Sequence, residues 1–406
     1  MALKSNPDVI IIGAGASGMV AAIRAAERGK NVLLLEKGDR SCRKVLASGN
    51  GRCNLMNTSE PRYYGDPVFA GAVLAQFGVK KLSSFFAQYG LVVTEEAEGR
   101  IYPLTYHSAS VASVLKNALA INGVTLNTRT SVCSVRKTGS CFTVSTEQGC
   151  VYTADSVIIA SGGPAQPKLG GTADGHILLH DLGHTIVPPS PALVPLTTDR
   201  KSISGLSGIR TRCKIRLFDE SGSLLHSEAG EILFTDYGIS GICVMQCARF
   251  TSDRRTYMEA DFLDSCFHTD FDLGSELRRR QAMMPSFDPV HLFDGILQER
   301  IAYAVLKQSG IPLHGETAAD LCEADLDRAA LTARRYLIRI TGTRGFDYAQ
   351  VTSGGADCSE FNPETMESCI VRGLYACGEV LNVDGDCGGF NLMFAFASGL
   401  TAGQSV

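Results

Sequence analysis

The 406-residue chain contains no tryptophan, so its intrinsic fluorescence comes from tyrosine. Its 14 cysteines include no C-x-x-C pair. Cys243 and Cys247 are separated by three residues in an apolar, helix-like stretch with no histidine cluster nearby. Zinc-ligand spacing is therefore missing, no metal site is expected, and the thiols read as small packed hydrophobes in a reducing compartment. No apolar run reaches membrane-spanning length. Neither charge sign is in excess: the net charge is −4 with 20% charged residues, which forces no polyanionic or membrane partner. There is no internal repeat and no low-complexity tract. Lys4, Pro7 and Asp8 precede the first apolar stretch without a signal-like region, so a cytoplasmic location is expected.

What is present begins at once. Val9-Ile10-Ile11-Ile12 reads as a buried strand. Gly13-Ala14-Gly15-Ala16-Ser17-Gly18 follows in G-x-G-x-x-G spacing, Met19 to Arg28 is Ala-rich and helical, and Asn31 to Leu35 is a second strand closing on Glu36. In such a unit Gly13 allows the tight turn, Gly15 admits a pyrophosphate to the backbone, and Gly18 lets helix pack on strand. The helix start, with Ala16 and Ser17, offers free N–H groups and positive potential to that pyrophosphate. Glu36, with Lys37 beside it, can take the hydroxyls of an adenine-linked ribose. The pattern predicts a dinucleotide site. No second G-x-G-x-x-G follows, so a separate nicotinamide domain is not indicated.

Strand and helix patterns alternate to about residue 190. A loop rich in Gly, Asn and Cys spans Ser41 to Thr58. Phe69 to Tyr89 and Ser110 to Asn122 read as helices, and Leu91 to Thr94 and Arg100 to Pro103 as short strands. Thr125 to Arg136 (with Val132 counted among the cofactor-binding candidates), Cys141 to Thr146 and Val151 to Ala160 read as a three-strand meander running into Ser161-Gly162-Gly163. At Pro188-Pro189-Ser190-Pro191 the character changes. Cys213 to Phe218 and Leu224 to Ser227 flank a hairpin turn, and Gly274 to Met284, His291 to Gln308 and Ala324 to Arg339 are helical in pattern. The expected organisation is a first nucleotide segment over 1–190, an insertion with β-barrel and helical character over 191–340, and a return to the nucleotide domain over 341–406.

The second strong signal lies near the end of the chain. Gly373 to Ala376 leads into Cys377-Gly378-Glu379. Asp384, Cys387, Gly388, Gly389, Phe390 and Asn391 then precede a helix from Leu392 to about Ala402. A strand ending in Gly-Glu suits the ribityl chain of a flavin, and a glycine loop opening a helix aims N–H groups at the pyrimidine edge, where a reduced flavin is negative. The simplest inference is one FAD bridging both ends of the chain. Phe390, Met393, Phe394 and Phe396 are read as an apolar flank to it.

These motifs resemble the BaiN-like (YhiN-like) family of bacterial flavoproteins. The family's K-x-x-x-S/T-G-x-G-R-C-N-x-x-N stretch stands here as Lys44 to Asn57, its T-G-G as Ser161-Gly162-Gly163, and its F-T-H-x-G-I-S-G as Phe234 to Gly241. Its terminal G-E…G-G-Y-N-L-Q element stands as Gly378-Glu379 through Gly388-Gly389-Phe390-Asn391-Leu392-Met393. Asp236 replaces a common histidine, Asn382 an aspartate, Met393 a glutamine, and Phe394 and Phe396 tryptophans. The resemblance implies an α/β fold: a Rossmann-like FAD-binding domain of glutathione-reductase type, split by an inserted β-barrel and a small helical subdomain over the active-site cleft. It also implies that Lys44, Ser48, Gly49, Asn50, Gly51, Arg52, Cys53 and Asn54 line the cofactor.

The resemblance further implies flavin chemistry of more than one kind. The leading expectation is NAD(P)H-driven reduction of an activated C=C bond in a small apolar enone of 3-oxo-4-ene bile acid or steroid type, by hydride transfer from flavin N5. A protein donor would polarise the carbonyl, and Arg52, Tyr102, Tyr237 and Cys387 are the catalytic candidates. With no separate nicotinamide domain, reductant and substrate are expected to use the cleft in turn. Alternatives are dihydrouridine formation in 23S rRNA, oxidation of a small aminoketone, and a flavin-binding redox sensor. Acidic residues outnumber basic ones over 191–340, which disfavours a nucleic-acid partner, although Arg278-Arg279-Arg280 and Arg334-Arg335 could form a local basic stripe.

Overall fold

The computed structural model describes residues 6–252, 254–264, 271–313 and 315–406; Lys4 lies outside them. The chain divides into two units, Met1–Pro191 with Ala349–Val406, and Ala192–Tyr348.

The first unit is built on a five-stranded parallel sheet. Its order is Leu374–Ala376, Ser156–Ile159, Val9–Ile12, Val32–Leu35, Thr125–Asn127. Val9–Ile12 is buried at every position and paired on both sides, which is why it reads as an unbroken apolar run. The helix Ala16–Glu27 crosses from this strand to Val32–Leu35. The last helix of the chain, Phe390–Ser405, packs on it. Gly399 and Gly403 make that packing possible: a Cβ on Gly399 would lie 2.4 Å from Ser17 O, and one on Gly403 2.3 Å from Ala21 O. The two ends of the sequence thus form one helix pair over one sheet.

The meander differs from the sequence reading. Thr125 to Arg136 and Val151 to Ala160 are each two strands. Thr125–Asn127 and Ser156–Ile159 join the parallel sheet, while Val132–Thr138, Cys141–Thr146 and Val151–Ala154 form the antiparallel meander. The chain turns between the two sheets at Arg129, which takes a left-handed φ of 53°. The helical stretch from Phe69 to Tyr89 is two helices, Pro67–Gln76 and Val79–Gln88, parted at Gly78.

The second unit contains a closed antiparallel barrel in the order Leu196–Thr198, Gly238–Ser240, Leu224–Phe234, Arg210–Asp219, Thr256–Asp261, Tyr336–Thr343. Cys213, Ile215 and Leu217 alternate inward from one strand and pack with Ile232, Phe234 and Met258 from others. Helices Leu273–Met283, Glu299–Gln308 and Glu323–Arg334 form the helical part. The helical pattern from His291 to Gln308 breaks at Gly295, where φ is 75°. That from Ala324 to Arg339 ends at Arg334. Tyr336 and Ile338 then alternate inward, because this segment must pair with both Leu196–Thr198 and Thr256–Asp261 to close the barrel. Among the described residues no helix is long and apolar enough to cross a membrane.

Candidate functional site

The glycine turn meets its three separate demands. Gly13 has φ of 105°, and a Cβ there would sit 2.5 Å from Ala160 O. A Cβ on Gly18 would come 1.9 Å from Gly13 O. Gly15 is different: its Cβ would meet nothing within 4 Å, so the space beside it is open. Gly15 also N-caps the Ala16–Glu27 helix, whose first turn has no side-chain cap and no acidic residue, leaving amide donors for an anion. Glu36 is held in place by two amides: Ala14 N–H donates to Oε2 (2.9 Å) and Gly38 N–H to Oε1 (2.6 Å). The Asn127–Thr130 loop supports this corner, Arg129 N–H donating to Gly38 O and Thr130 N–H to Glu36 O. Val132 follows it into the meander, buried. Lys37 is exposed and pairs with Asp174 at 2.7 Å.

Segments from four regions of the sequence converge on Glu379. The Lys44 ammonium donates to its Oε2, and Thr352 N–H donates to its Oε1 at 2.8 Å. Gly162, with φ of 71°, lies close enough that a Cβ there would be 3.6 Å from Oε2. Thr352 Oγ1 also accepts from Ala165 N–H and fills the space a Gly163 side chain would need. Gly378 abuts the helix start: its Cβ would lie 2.4 Å from Ser17 Oγ, and its N–H donates to Ser398 Oγ. Thr352 and His176 were not among the sequence candidates. His176 is buried next to Glu379, and burial keeps its imidazole below the usual range against the pull of Val380 O and the Glu379 charge. The signal for Thr352 was its place at the head of the Thr-Ser-Gly-Gly strand.

The loop after Lys44 is wound from left-handed residues: Gly49, Asn50, Gly51 and Cys53 all have positive φ. Ser48 Oγ donates to Val45 O, and Cys53 N–H to Ser48 O. The loop meets the C-terminal glycine loop. A Cβ on Gly389 would be 2.7 Å from Asn54 Oδ1, and Asn57 Nδ2 donates to Gly388 O at 2.8 Å. Asn391 bridges the same turn, accepting from Gly385 N–H and donating to Gly385 O and Asp386 O. Asp384 is buried within it and Leu392 half-buried at its end. The helix Phe390–Ser405 starts at Gly389 with no side-chain cap and no acid in its first turn. Asn54 Oδ1 and Ser161 Oγ are buried with no hydrogen-bond partner among the described residues. Two unfilled amide clusters at helix starts, an open face at Gly15 and two orphaned buried oxygens fit a large polar ligand running from Glu36 to Gly389.

Three of the four donor candidates lie together in this unit. Arg52 rests against the adjoining rings of Tyr102 and Tyr106, its guanidinium carbon 4.6 Å from each centroid, while Nη2 donates to Glu96 Oε1 at 2.8 Å. Its charge is thus directed to Glu96 and the tyrosine faces. Burial raises the pKa of both Tyr102 and Cys387, opposed by nearby Arg100, so both carry their protons at neutral pH. Tyr237 belongs to the barrel unit and stacks on Arg344. The apolar flank expected of Phe390, Met393, Phe394 and Phe396 is corrected: all four are in the hydrophobic core. Phe396 lies edge-on to Phe86 at 4.9 Å and Phe394 contacts Tyr63 at 6.1 Å. The terminal helix is enclosed on most sides, so its aromatics fill the core.

The two arginine runs in the second unit are already neutralised. Arg279 and Arg280 share Glu276, Arg278 pairs with Asp327, Arg335 with Glu259 and Arg334 with Asp261.

This arrangement, a Rossmann-type nucleotide domain split by an inserted barrel unit, defines the class. The chain belongs to the family described as the HI0933-like protein Rossmann domain, whose model matches residues 7–405. It is 35% identical to a 3-dehydro-bile acid delta(4,6)-reductase of Clostridium scindens, over 97% of this chain and 98% of that one. It is 29% identical to ribosomal RNA dihydrouridine synthases of Escherichia coli and of Haemophilus influenzae, in each case over 98% of both chains.

Proposed function

We propose that the protein is an FAD-dependent oxidoreductase that uses NAD(P)H to reduce an activated C=C bond in a small apolar enone of bile acid or steroid type. The observation that carries this reading is the meeting of both chain ends in one unit: the open face at Gly15, two helix starts without side-chain caps at Gly15 and Gly389, and Glu36 and Glu379 held by backbone amides. The 35%-identical relative, named as a bile acid reductase, supplies the substrate class.

In this reading Gly15 and the amides of Ala16, Ser17 and Gly18 would hold the pyrophosphate, with Gly13 shaping the turn, and Glu36 would orient the ribose. Glu379, held by Lys44 and the Thr352 amide, would accept a ribityl hydroxyl. Ser161, Gly162 and Gly163 let the backbone approach it. Asn54, whose Oδ1 has no partner among the described residues, and Leu392 would hold the ring system, Asn391 would fix the turn beside it, and the helix start would stabilise negative charge there. FAD, when bound, supplies the hydride chemistry. Tyr102 and Cys387 hold protons at neutral pH and are the candidates to polarise the substrate carbonyl or return a proton. Arg52 keeps the Tyr102 ring in place.

A second reading, reduction of a uridine in ribosomal RNA, is favoured by the names of the two 29%-identical relatives. Against it stand the acidic balance of residues 191–340 and the intramolecular pairing of Arg278–Arg280 and Arg334–Arg335. Anaerobic stopped-flow decides between them. The purified holoprotein is reduced with NADH or NADPH, then mixed with a 3-oxo-4-ene steroid while flavin absorbance is followed. Rapid reoxidation by the steroid supports the enone reading. Reoxidation only by ribosomal RNA moves the assignment to the second, and reduction only by a small amine overturns both.

A further inference from the structure

We infer that Arg344 anchors a binding site for a small-molecule carboxylate, built entirely from residues of the barrel unit. The inference deepens the function proposed above and rests on it for the small-molecule class of ligand.

The guanidinium of Arg344 lies between two aromatic rings, its carbon 4.1 Å from the Tyr237 centroid and 3.8 Å from that of Tyr348. Two rings this close to the guanidinium carbon cover much of the group and leave its outer edge for approach. That edge carries the N–H donors in a fixed fork, which matches a carboxylate held by two parallel hydrogen bonds. Among the described residues, no side-chain or backbone oxygen accepts a hydrogen bond from this guanidinium, and no carboxylate pairs with it. Asp236 and Asp347, sequence neighbours of the two tyrosines, do not reach it.

Arg52 offers a partial parallel. It rests against Tyr102 and Tyr106, whose ring centroids are 5.8 Å apart, and its Nη2 donates to the Glu96 carboxylate at 2.8 Å. Arg344 has two aromatic neighbours without such an internal carboxylate. Its position is fixed as well. Arg344 N–H donates to Pro195 O, next to the barrel strand Leu196–Thr198. The turn bearing Tyr237 is pinned by Thr235 N–H to Gly238 O at 2.8 Å. Gly238 lies so close to the same strand that a Cβ would meet Leu196 O at 2.1 Å. Tyr348 is 51% exposed, so the clamp opens to solvent.

The test is calorimetric titration of the oxidised holoprotein, without reductant, using 3-oxochol-4-en-24-oate, its methyl ester and inorganic phosphate. The acid is expected to bind about tenfold or more tightly than the ester, as fits a charge-assisted pair. Arg344→Lys and Arg344→Ala should remove that preference while leaving ester binding unchanged. Tyr348→Ala, at an exposed position, should weaken the acid only, which separates loss of the clamp from loss of fold. Equal binding of acid and ester, a preference that survives Arg344→Ala, or phosphate displacing the acid at equal concentration would each overturn the assignment. Turnover separates this inference from the reductase reading. If Arg344-dependent binding is found but NAD(P)H never reduces the acid, the reductase reading fails and the site stands. If acid and ester are reduced with equal KM, the site fails and the reductase reading stands.

Discussion

Substituting Gly15 separates what the glycine turn does for folding from what it does for cofactor binding. Its backbone angles, φ −83° and ψ −164°, are ordinary for any L-residue, and a side chain there would meet nothing within 4 Å. Gly15→Ala therefore costs the apoprotein nothing in contacts. The gain of about 0.4–1 kcal/mol from restricting the unfolded chain is offset by the poorer N-cap that Ala makes at this position, so apoprotein stability should change little. The same methyl occupies the space through which a pyrophosphate must approach the helix amides. FAD affinity should fall about 100-fold, equivalent to about 2.8 kcal/mol, and further for Gly15→Val. The measurement pairs thermal unfolding of the apoprotein with titration by quenching of free FAD fluorescence, where the lack of tryptophan keeps the protein background low. Apoprotein should unfold near the wild-type temperature, while the upward shift caused by added FAD shrinks. Gly13→Ala and Gly18→Ala are the controls. They drive a Cβ to 2.5 Å from Ala160 O and 1.9 Å from Gly13 O, so both should destabilise the apoprotein itself. A Gly15→Val protein that still binds FAD at wild-type affinity would refute the reasoning, because the open face would then not be where the cofactor comes in.

Other outcomes follow from neighbouring features. Glu379→Gln should lower FAD affinity about 10-fold or more by weakening the pairing with Lys44; a double-mutant cycle with Lys44→Met should show coupling of about 0.5–3 kcal/mol, and additive effects would deny that the pair acts as a unit. Phe396→Ala removes a fully buried ring packed on Phe86 and should cost about 3–5 kcal/mol in denaturant unfolding, whereas a flavin-flanking residue would alter activity with little loss of stability. His184 has Nδ1 2.9 Å from Glu360 Oε2 and Nε2 2.9 Å from Ser368 Oγ, and burial depresses its pKa in the folded state. The unfolded chain then binds the extra proton, so stability is complete above about pH 6.5 and declines as pH falls below it. His184→Gln should flatten that decline between pH 6.5 and 5, and an unchanged slope of unfolding midpoint against pH would assign it elsewhere.

Local spacing alone was enough to read the strand–glycine–helix–strand unit at Val9 to Glu36, the Gly378–Glu379 turn, the hairpin around Asp219 to Ser223 and the departure of the chain near Pro191. Each depends on contacts within a few residues: a φ only glycine tolerates, an apolar run, a turn sequence. Tertiary structure decided what depends on partners far along the chain. Thr125 to Arg136 divides between two sheets because its halves pair with Val32–Leu35 and with Cys141–Thr146. The helical pattern around Ala324 to Arg339 gives way at Tyr336 because a barrel closes only when its last strand meets its first. Thr352 reaches Glu379, and Arg52 is claimed by Glu96 and two tyrosines, through folding that no spacing announces. Phe394 and Phe396 read equally well as ligand-facing or core residues, since hydrophobicity specifies burial but not what does the burying. Packing of the terminal helix against its neighbours, brought close by Gly399 and Gly403, made that choice.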